Sequence, residues 1–134
     1  RMLGAGSRNV EVDAGSGALQ YQRILDELAV VDSDGSLPYA SVLEDIATRS
    51  IDGETVLVFL SQQAGESIDT VNALTLLRGK RAHIFAIVFE RSSFIDVASP
   101  GDAPADAVTA VLQELDATCL RVRCGDDLVH LFNA

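Results

Sequence analysis

Residues 55–60 read Thr55-Val-Leu-Val-Phe-Leu60, a short apolar run without a charged side chain. A second run, Ala82-His-Ile-Phe-Ala-Ile-Val-Phe89, follows after a stretch with helical spacing from Ser67 to Arg78. Continuous runs of β-branched and aromatic residues are typical of strands that are buried on both faces, as in a parallel sheet. The two runs therefore predict two strands of a parallel sheet, with a helix between them.

Helical periodicity extends this pattern on both sides. Apolar residues recur at i, i+3, i+4 and i+7 in three further segments, which predicts three more amphipathic helices. Their apolar faces are Tyr21, Ile24, Leu25 and Leu28; Tyr39, Val42, Leu43, Ile46 and Ala47; and Val108, Val111, Leu112 and Leu115. We expect Ser36 to be the N-cap of the second of these helices, with Pro38 in its first turn.

Two shorter strands and a terminal helix complete the predicted order. Val10–Val12 is expected to be a short first strand, and the alternation in residues 118–123 suits a strand at or near a sheet edge. A short final helix follows, with Asp126 as its expected cap. The order β-α-α-β-α-β-α-β-α predicts an α/β fold, a three-layer α/β/α sandwich with a mostly parallel sheet.

Length, composition and charge bound the function. The chain has 134 residues, 48% of them apolar, which fits one globular domain over residues 1–134. It carries 10 basic and 20 acidic residues, a formal charge of −10 that is spread along the chain. This balance argues against nucleic acid and anionic membrane surfaces as partners, since both are negative. No apolar run approaches the roughly 20 residues that a membrane span needs.

The sequence holds no familiar catalytic or metal-binding motif. The glycine-rich nucleotide fingerprints are absent, and the residues around Ser61 do not form a nucleophile elbow. Two cysteines, Cys119 and Cys124, and two histidines, His83 and His130, form no zinc-binding pattern. We therefore expect reduced thiols, structural histidines and no cofactor.

The predicted topology still indicates where a partner binds. Ligands of open parallel sheets lie beyond the carboxyl ends of the strands. This rule selects three segments, residues 61–65, 90–96 and 124–127. The candidate interaction rim within them consists of Ser61, Gln62, Gln63, Arg91, Ser92 and Asp126.

Two central segments carry a resemblance to a known family. Asp34-Gly-Ser-Leu-Pro-Tyr-Ala-Ser-Val-Leu43 and Gly53-Glu-Thr-Val-Leu-Val-Phe-Leu-Ser61 resemble the later half of a von Willebrand factor A domain. They are similar in particular to the bacterial family known as domain of unknown function fifty-eight, and residues 17–29 and 89–94 fit that family as well. The resemblance implies that the chain is an A-like domain fragment of a longer protein, without the domain's first strand.

The resemblance also implies a metal site, in degenerate form. Domains of this type bind a divalent cation through Asp-x-Ser-x-Ser in the first strand, a threonine and an aspartate. Ser36 matches the threonine, and Gln62 stands where the aspartate is expected. Because a hard cation prefers several oxygen ligands that include carboxylates, we expect no metal at Ser36 and Gln62.

The function that the resemblance implies is a non-enzymatic protein-interaction module of a larger bacterial protein. Its implied partner is a MoxR-type AAA+ ATPase, and its implied location is cytoplasmic, in a parent protein that is often membrane-anchored. The alternative is a Rossmann-like enzyme or small-ligand binder that uses the loops at the carboxyl ends of the strands. Loss of the first strand also exposes one edge of the strand at residues 55–60. We expect a fragment homodimer through this edge, with coverage by residues 1–12 as the other arrangement.

Overall fold

The computed structural model describes residues 2–4, 10–32, 34–49, 52–61, 67–95 and 105–133. The elements in chain order are β1 (Met2–Gly4), β2 (Val10–Val12), α1 (Gly17–Val30), α2 (Tyr39–Arg49), β3 (Thr55–Ser61), α3 (Ser67–Gly79), β4 (His83–Phe89), α4 (Ala105–Glu114), β5 (Thr118–Val122) and α5 (Leu128–Asn133). A 3₁₀ turn, Arg91–Ser93, follows β4. The order agrees with the one predicted from the sequence, with β1 as an addition.

The main sheet contains β3, β4 and β5, which lie side by side in this order and are all parallel. Val58 pairs with Ala86, which pairs with Cys119, and one position further along, Phe59, Ile87 and Leu120 form the next row. The chain is therefore a mixed α/β protein with a three-stranded parallel sheet. As predicted, β5 is an edge strand.

The hydrophobic core lies between the sheet and three helices. Residues paired in a parallel register point to the same face, so alternate residues of each strand form the face that the helices cover. Side chains from α2, α3 and α4 pack on it. The buried core consists of Leu43, Ala47, Val58, Ala73, Leu74, Leu77, Ala82, Ile84, Ala86, Val88 and Leu112.

The opposite face of the sheet is partly uncovered. Leu57 and Phe59 on β3 are more than half exposed, and Phe89 on β4 is exposed as well. The prediction that residues 55–60 are buried on both faces is therefore wrong, because burial of a strand depends on the layers packed against it. We call Leu57, Phe59 and Phe89 the open face. The second helical layer of the predicted sandwich stays a prediction.

The N-terminal strands form a separate antiparallel pair. Met2 lies opposite Val12, and Gly4 opposite Val10. Val10 and Val12 are buried, and an ion pair of 3.3 Å between Arg49 Nη1 and Glu11 Oε1 joins this pair of strands to α2. The described residues of the N-terminal segment thus pair with each other and do not cover the outer edge of β3.

Of the apolar face predicted for α1, Tyr21, Leu25 and Leu28 are turned outward, whereas Ile24 is partly buried. Gln20 is the buried residue of this helix, and its Nε2 donates a hydrogen bond of 2.7 Å to the backbone oxygen of Asp13. Tyr21, Leu25 and Leu28 are exposed as a result. We call these three residues the α1 stripe.

The helix that precedes β4 ends in a Schellman turn. The Ala82 amide donates to the Leu77 oxygen at 3.2 Å, and the Arg81 amide donates to the Arg78 oxygen at 2.9 Å. Arg81 has a positive φ of 57°, in the left-handed region that favours glycine. Helix α4 ends in the same way, with a φ of 55° at Asp116.

Candidate functional site

The parallel strands place part of the predicted rim at one edge of the sheet. Ser61 is the last residue of β3, Arg91 and Ser92 lie in the 3₁₀ turn after β4, and Asp126 follows β5. Because carboxyl ends of parallel strands meet at the same edge, these four residues share it. Gln62 and Gln63 lie outside the described residues.

A serine that the sequence analysis missed connects two of these loops. Ser93 Oγ donates to the backbone oxygen of Glu90 at 2.7 Å and accepts from the Cys124 amide at 2.9 Å. The Glu90 amide also donates to the Val122 oxygen at 2.9 Å. The turns after β4 and β5 therefore form one connected surface, which we call the braced rim.

A carboxylate lies between two arginines at the same edge. Glu90 Oε2 is 3.4 Å from Arg121 Nη2 and 3.2 Å from Arg123 Nε. This oxygen is inaccessible to solvent and accepts no hydrogen bond of suitable geometry, so the contacts are ionic. The ion pairs hold β5 against the end of β4. The alternation of Arg121, on β5, with Arg123, just after it, is the signal that could have found this cluster from the sequence.

The two aspartates after Gly125 have separate structural roles. Asp126 Oδ2 accepts a hydrogen bond of 2.7 Å from the Arg123 amide, across a turn in which Gly125 has a φ of 89°. Asp127 Oδ1 accepts from the amides of Val129 and His130 at 3.0 and 3.2 Å. The prediction that Asp126 caps α5 is therefore wrong, because this turn directs its carboxylate back to Arg123 and leaves the cap to Asp127.

Aromatic side chains connect the braced rim to the open face. Phe89 stacks on Phe59 with ring centroids 6.4 Å apart, and Phe94 meets Phe89 edge-on, also at 6.4 Å. Phe94 and its neighbour Ile95 are exposed. A strip of apolar surface thus runs from β3 to the turn after β4.

The predicted metal positions are only partly described. Ser36 is exposed and lies three residues before the start of α2, so it is not the N-cap of that helix, and Gln62 lies outside the described residues. At the start of α2, the Tyr39 hydroxyl accepts a hydrogen bond of 3.3 Å from the Phe59 amide. No group of three or more potential metal-binding His, Cys, Asp or Glu residues occurs in the part of the chain that the structure describes.

The cysteines and histidines differ in environment. Cys119 lies half-buried on β5, and burial raises the pKa of its thiol more than the Thr109 hydrogen bond and the Arg121 charge lower it. Cys124 is exposed on the braced rim. His83 begins β4, whereas Ser61 ends β3, so these two residues lie at opposite ends of the sheet.

The described residues at this edge of the sheet combine structural carboxylates with exposed side chains. The carboxylates of Glu90, Asp126 and Asp127 contact neighbouring residues, the Phe94 ring is exposed, and Arg91 is half-buried in the turn before it. None of the helices over residues 17–133 that the structure describes has the length and apolar character to cross a membrane. No protein-family model matches the chain, and comparisons with curated proteins and with solved structures give no match either.

Proposed function

We propose that this chain is a non-enzymatic protein-interaction module and that the braced rim is its recognition surface. The observation that carries the proposal is Phe94, which is 48% exposed at a loop that Ser93 fixes in place. Exposed aromatic and arginine side chains are enriched among the residues that dominate protein–protein binding, and Arg91 lies in the same turn. A surface that is already ordered loses less conformational entropy on binding.

The proposed partner is a MoxR-type AAA+ ATPase, which the resemblance to the von Willebrand A-like family suggests. The same resemblance suggests a cytoplasmic domain, in a parent protein that is often membrane-anchored, and an A-like or Rossmann-like sandwich that lacks its first strand. The parallel order β3-β4-β5 and the helices α3 and α4 on one face are compatible with such a sandwich.

The test measures binding to an immobilised, purified MoxR-type ATPase. We expect Phe94→Ser to raise the dissociation constant at least about tenfold, or about 1.4 kcal/mol, because a central aromatic contact is lost. Leu76→Ser is the matched control, since Leu76 is 55% exposed and lies near the opposite end of α3 from the rim. Equal effects of the two substitutions, or no binding by the unchanged chain, contradict the proposal.

The alternative, a Rossmann-like enzyme or small-ligand binder, is tested with the same protein. Calorimetric titrations use ATP, inorganic phosphate and Mg²⁺ in turn. An interaction module is expected to give no heat of binding in any of them. A one-to-one isotherm that Arg91→Ala abolishes for ATP or phosphate, or that Ser36→Ala abolishes for Mg²⁺, favours the alternative.

A further inference from the structure

Helix α1 exposes apolar side chains on one side of the helix. The α1 stripe occupies positions i, i+4 and i+7, which lie in a row along a helix. Tyr21 is 65% exposed, Leu25 39% and Leu28 52%. The opposite arrangement is usual, since amphipathic helices in globular proteins bury their apolar stripe.

The open face of the sheet exposes a matching set of apolar side chains. Leu57 is 52% exposed, Phe59 54% and Phe89 37%. Parallel sheets occur in proteins with both faces covered by helices. An apolar patch of this kind therefore indicates a surface that binds another helix or protein.

The stripe and the face agree in length and in chemistry. From Tyr21 to Leu28 the stripe is about 11 Å long, and the open face extends about 13 Å along the strands, from Leu57 to Phe89, which pairs with Ser61. Neither set contains a charged side chain. Among the described residues, α1 contacts β2, and its stripe stays exposed.

We propose that two copies of the chain associate through these surfaces, the α1 stripe of each copy covering the open face of the other. Each chain carries one stripe and one face, so a twofold pair forms both contacts together and leaves neither surface open. At roughly 200 Å² for a large apolar side chain, these side chains, which average about half exposed, bury roughly 600 Å² in each chain, or on the order of 1,000 Å² in the pair. This area lies near the lower limit of about 1,000 Å² for specific interfaces and predicts a weak dimer.

This arrangement differs from the homodimer predicted through the outer edge of β3. The His83 amide donates to the Glu54 oxygen at 2.8 Å, so the backbone groups of Glu54 point toward β4. Backbone groups point alternately to the two sides of a strand. The Phe59 amide, five positions later, therefore points away from β4, to the outer edge of β3. That amide already donates to the Tyr39 hydroxyl. Because part of the edge is occupied in this way, we favour the face over the edge.

The test measures the association state of the whole chain by sedimentation velocity, from low to high micromolar concentration. We expect a concentration-dependent dimer in the unchanged protein. Leu25→Lys and Phe59→Glu are each expected to raise its dissociation constant at least about tenfold, because each places a charge in an apolar contact. Leu76→Lys is the control, an exposed apolar residue on α3 outside both surfaces, and it is expected to leave the dimer unchanged.

Mixing the two charged variants makes the test specific. In the mixed pair, the lysine introduced into the stripe of one copy faces the glutamate introduced into the open face of the other, and the second contact joins unchanged residues. We therefore expect a one-to-one mixture to recover the dimer, while circular dichroism shows that each variant is folded.

Three results overturn the proposal. The first is a monomer at every concentration of the unchanged chain. The second is a dimer that Phe59→Glu weakens and Leu25→Lys does not, which is the result expected for pairing through the β3 edge. The third is a mixture of folded variants that stays monomeric.

Discussion

Arg78 Nη2 lies 2.7 Å from Asp116 Oδ2, so an ion pair joins the C-terminal ends of α3 and α4. The carboxylate is largely exposed, and pairs of this kind contribute at most about 1 kcal/mol. The position of this ion pair matters more than its energy, because it lies where both helices end. Both helices end in a turn with one left-handed residue, Arg81 in the first and Asp116 in the second, and each turn leads directly into the next parallel strand.

The left-handed conformation of Arg81 predicts a stabilising substitution. Arg81→Gly is expected to raise the free energy of unfolding by about 1 kcal/mol, because a side chain at positive φ carries a steric cost that glycine avoids. Denaturant unfolding measures this change. Lys80→Gly, at the neighbouring position without a positive φ, is the control and is expected to give no gain. A loss of stability in Arg81→Gly would contradict the assignment of this turn.

The packing of α2 and α4 predicts which apolar residues are costly to remove. Leu43→Ala and Leu112→Ala are each expected to lower the free energy of unfolding by about 2–5 kcal/mol, since both side chains are fully buried in the core. Val111 is only partly buried, so Val111→Ala is expected to cost about 1 kcal/mol. Equal losses for Val111→Ala and Leu112→Ala would mean that α4 is rotated from the orientation described.

The braced rim predicts a local effect of removing one hydroxyl. Ser93→Ala is expected to cost about 1–2 kcal/mol, because the Cys124 amide loses its acceptor. Hydrogen exchange of that amide is expected to become faster. Ser93→Thr keeps a hydroxyl and should retain most of the protection, and Ser36→Ala in an exposed loop is the control. Unchanged exchange at Cys124 in Ser93→Ala would show that the two turns are not connected.

The two thiols are expected to differ in reactivity and in their effect on stability. Iodoacetamide is expected to modify exposed Cys124 before Cys119, whose raised pKa keeps it protonated. Because the pKa of Cys119 is raised in the folded protein, its thiol stays protonated above about pH 8.5, where the unfolded thiol loses its proton. The contribution of Cys119 to the free energy of unfolding is therefore fully present below that pH and decreases as the pH rises. Mass spectrometry after timed alkylation checks the order of modification. Unfolding of Cys119→Ser, compared with the unchanged chain across this pH range, checks the stability.

Sequence periodicity predicted the elements that pack on one another locally. Leu43 and Ala47 lie on the buried face of α2, as their spacing indicated, and β4 is buried through most of its length. These predictions succeed because the spacing of apolar residues along one helix or strand indicates which of its sides is buried. Residues 2–4 form a strand too short to produce such a repeat, so β1 was not predicted.

The remaining differences depend on contacts between distant parts of the chain. The periodicity identifies the apolar side of α1. The hydrogen bond from Gln20 Nε2 to the Asp13 backbone oxygen determines which side of the helix faces β2. The exposure of Leu57 and Phe59 depends on which layers cover the sheet. At the rim, nothing in the sequence shows which of the adjacent serines, Ser92 or Ser93, connects the two turns. The hydrogen bond between the Cys124 amide and Ser93 Oγ joins residues 31 positions apart, so it is visible only in the structure.

The spatial order of the sheet is also the order in which its strands are synthesised. During synthesis β4 emerges after β3 and β5 after β4, so each strand follows the neighbour with which it pairs in the sheet. The neighbour of each new strand has therefore already been synthesised when that strand emerges. The segment between the two strands is of modest length, so the entropic cost of bringing them together is low. A nascent chain that has emerged as far as Val122 already holds β3, β4 and β5, the strands of the main sheet among the described residues. Pairing of these three strands therefore requires no residue after Val122, and α5 is synthesised once all three have been made.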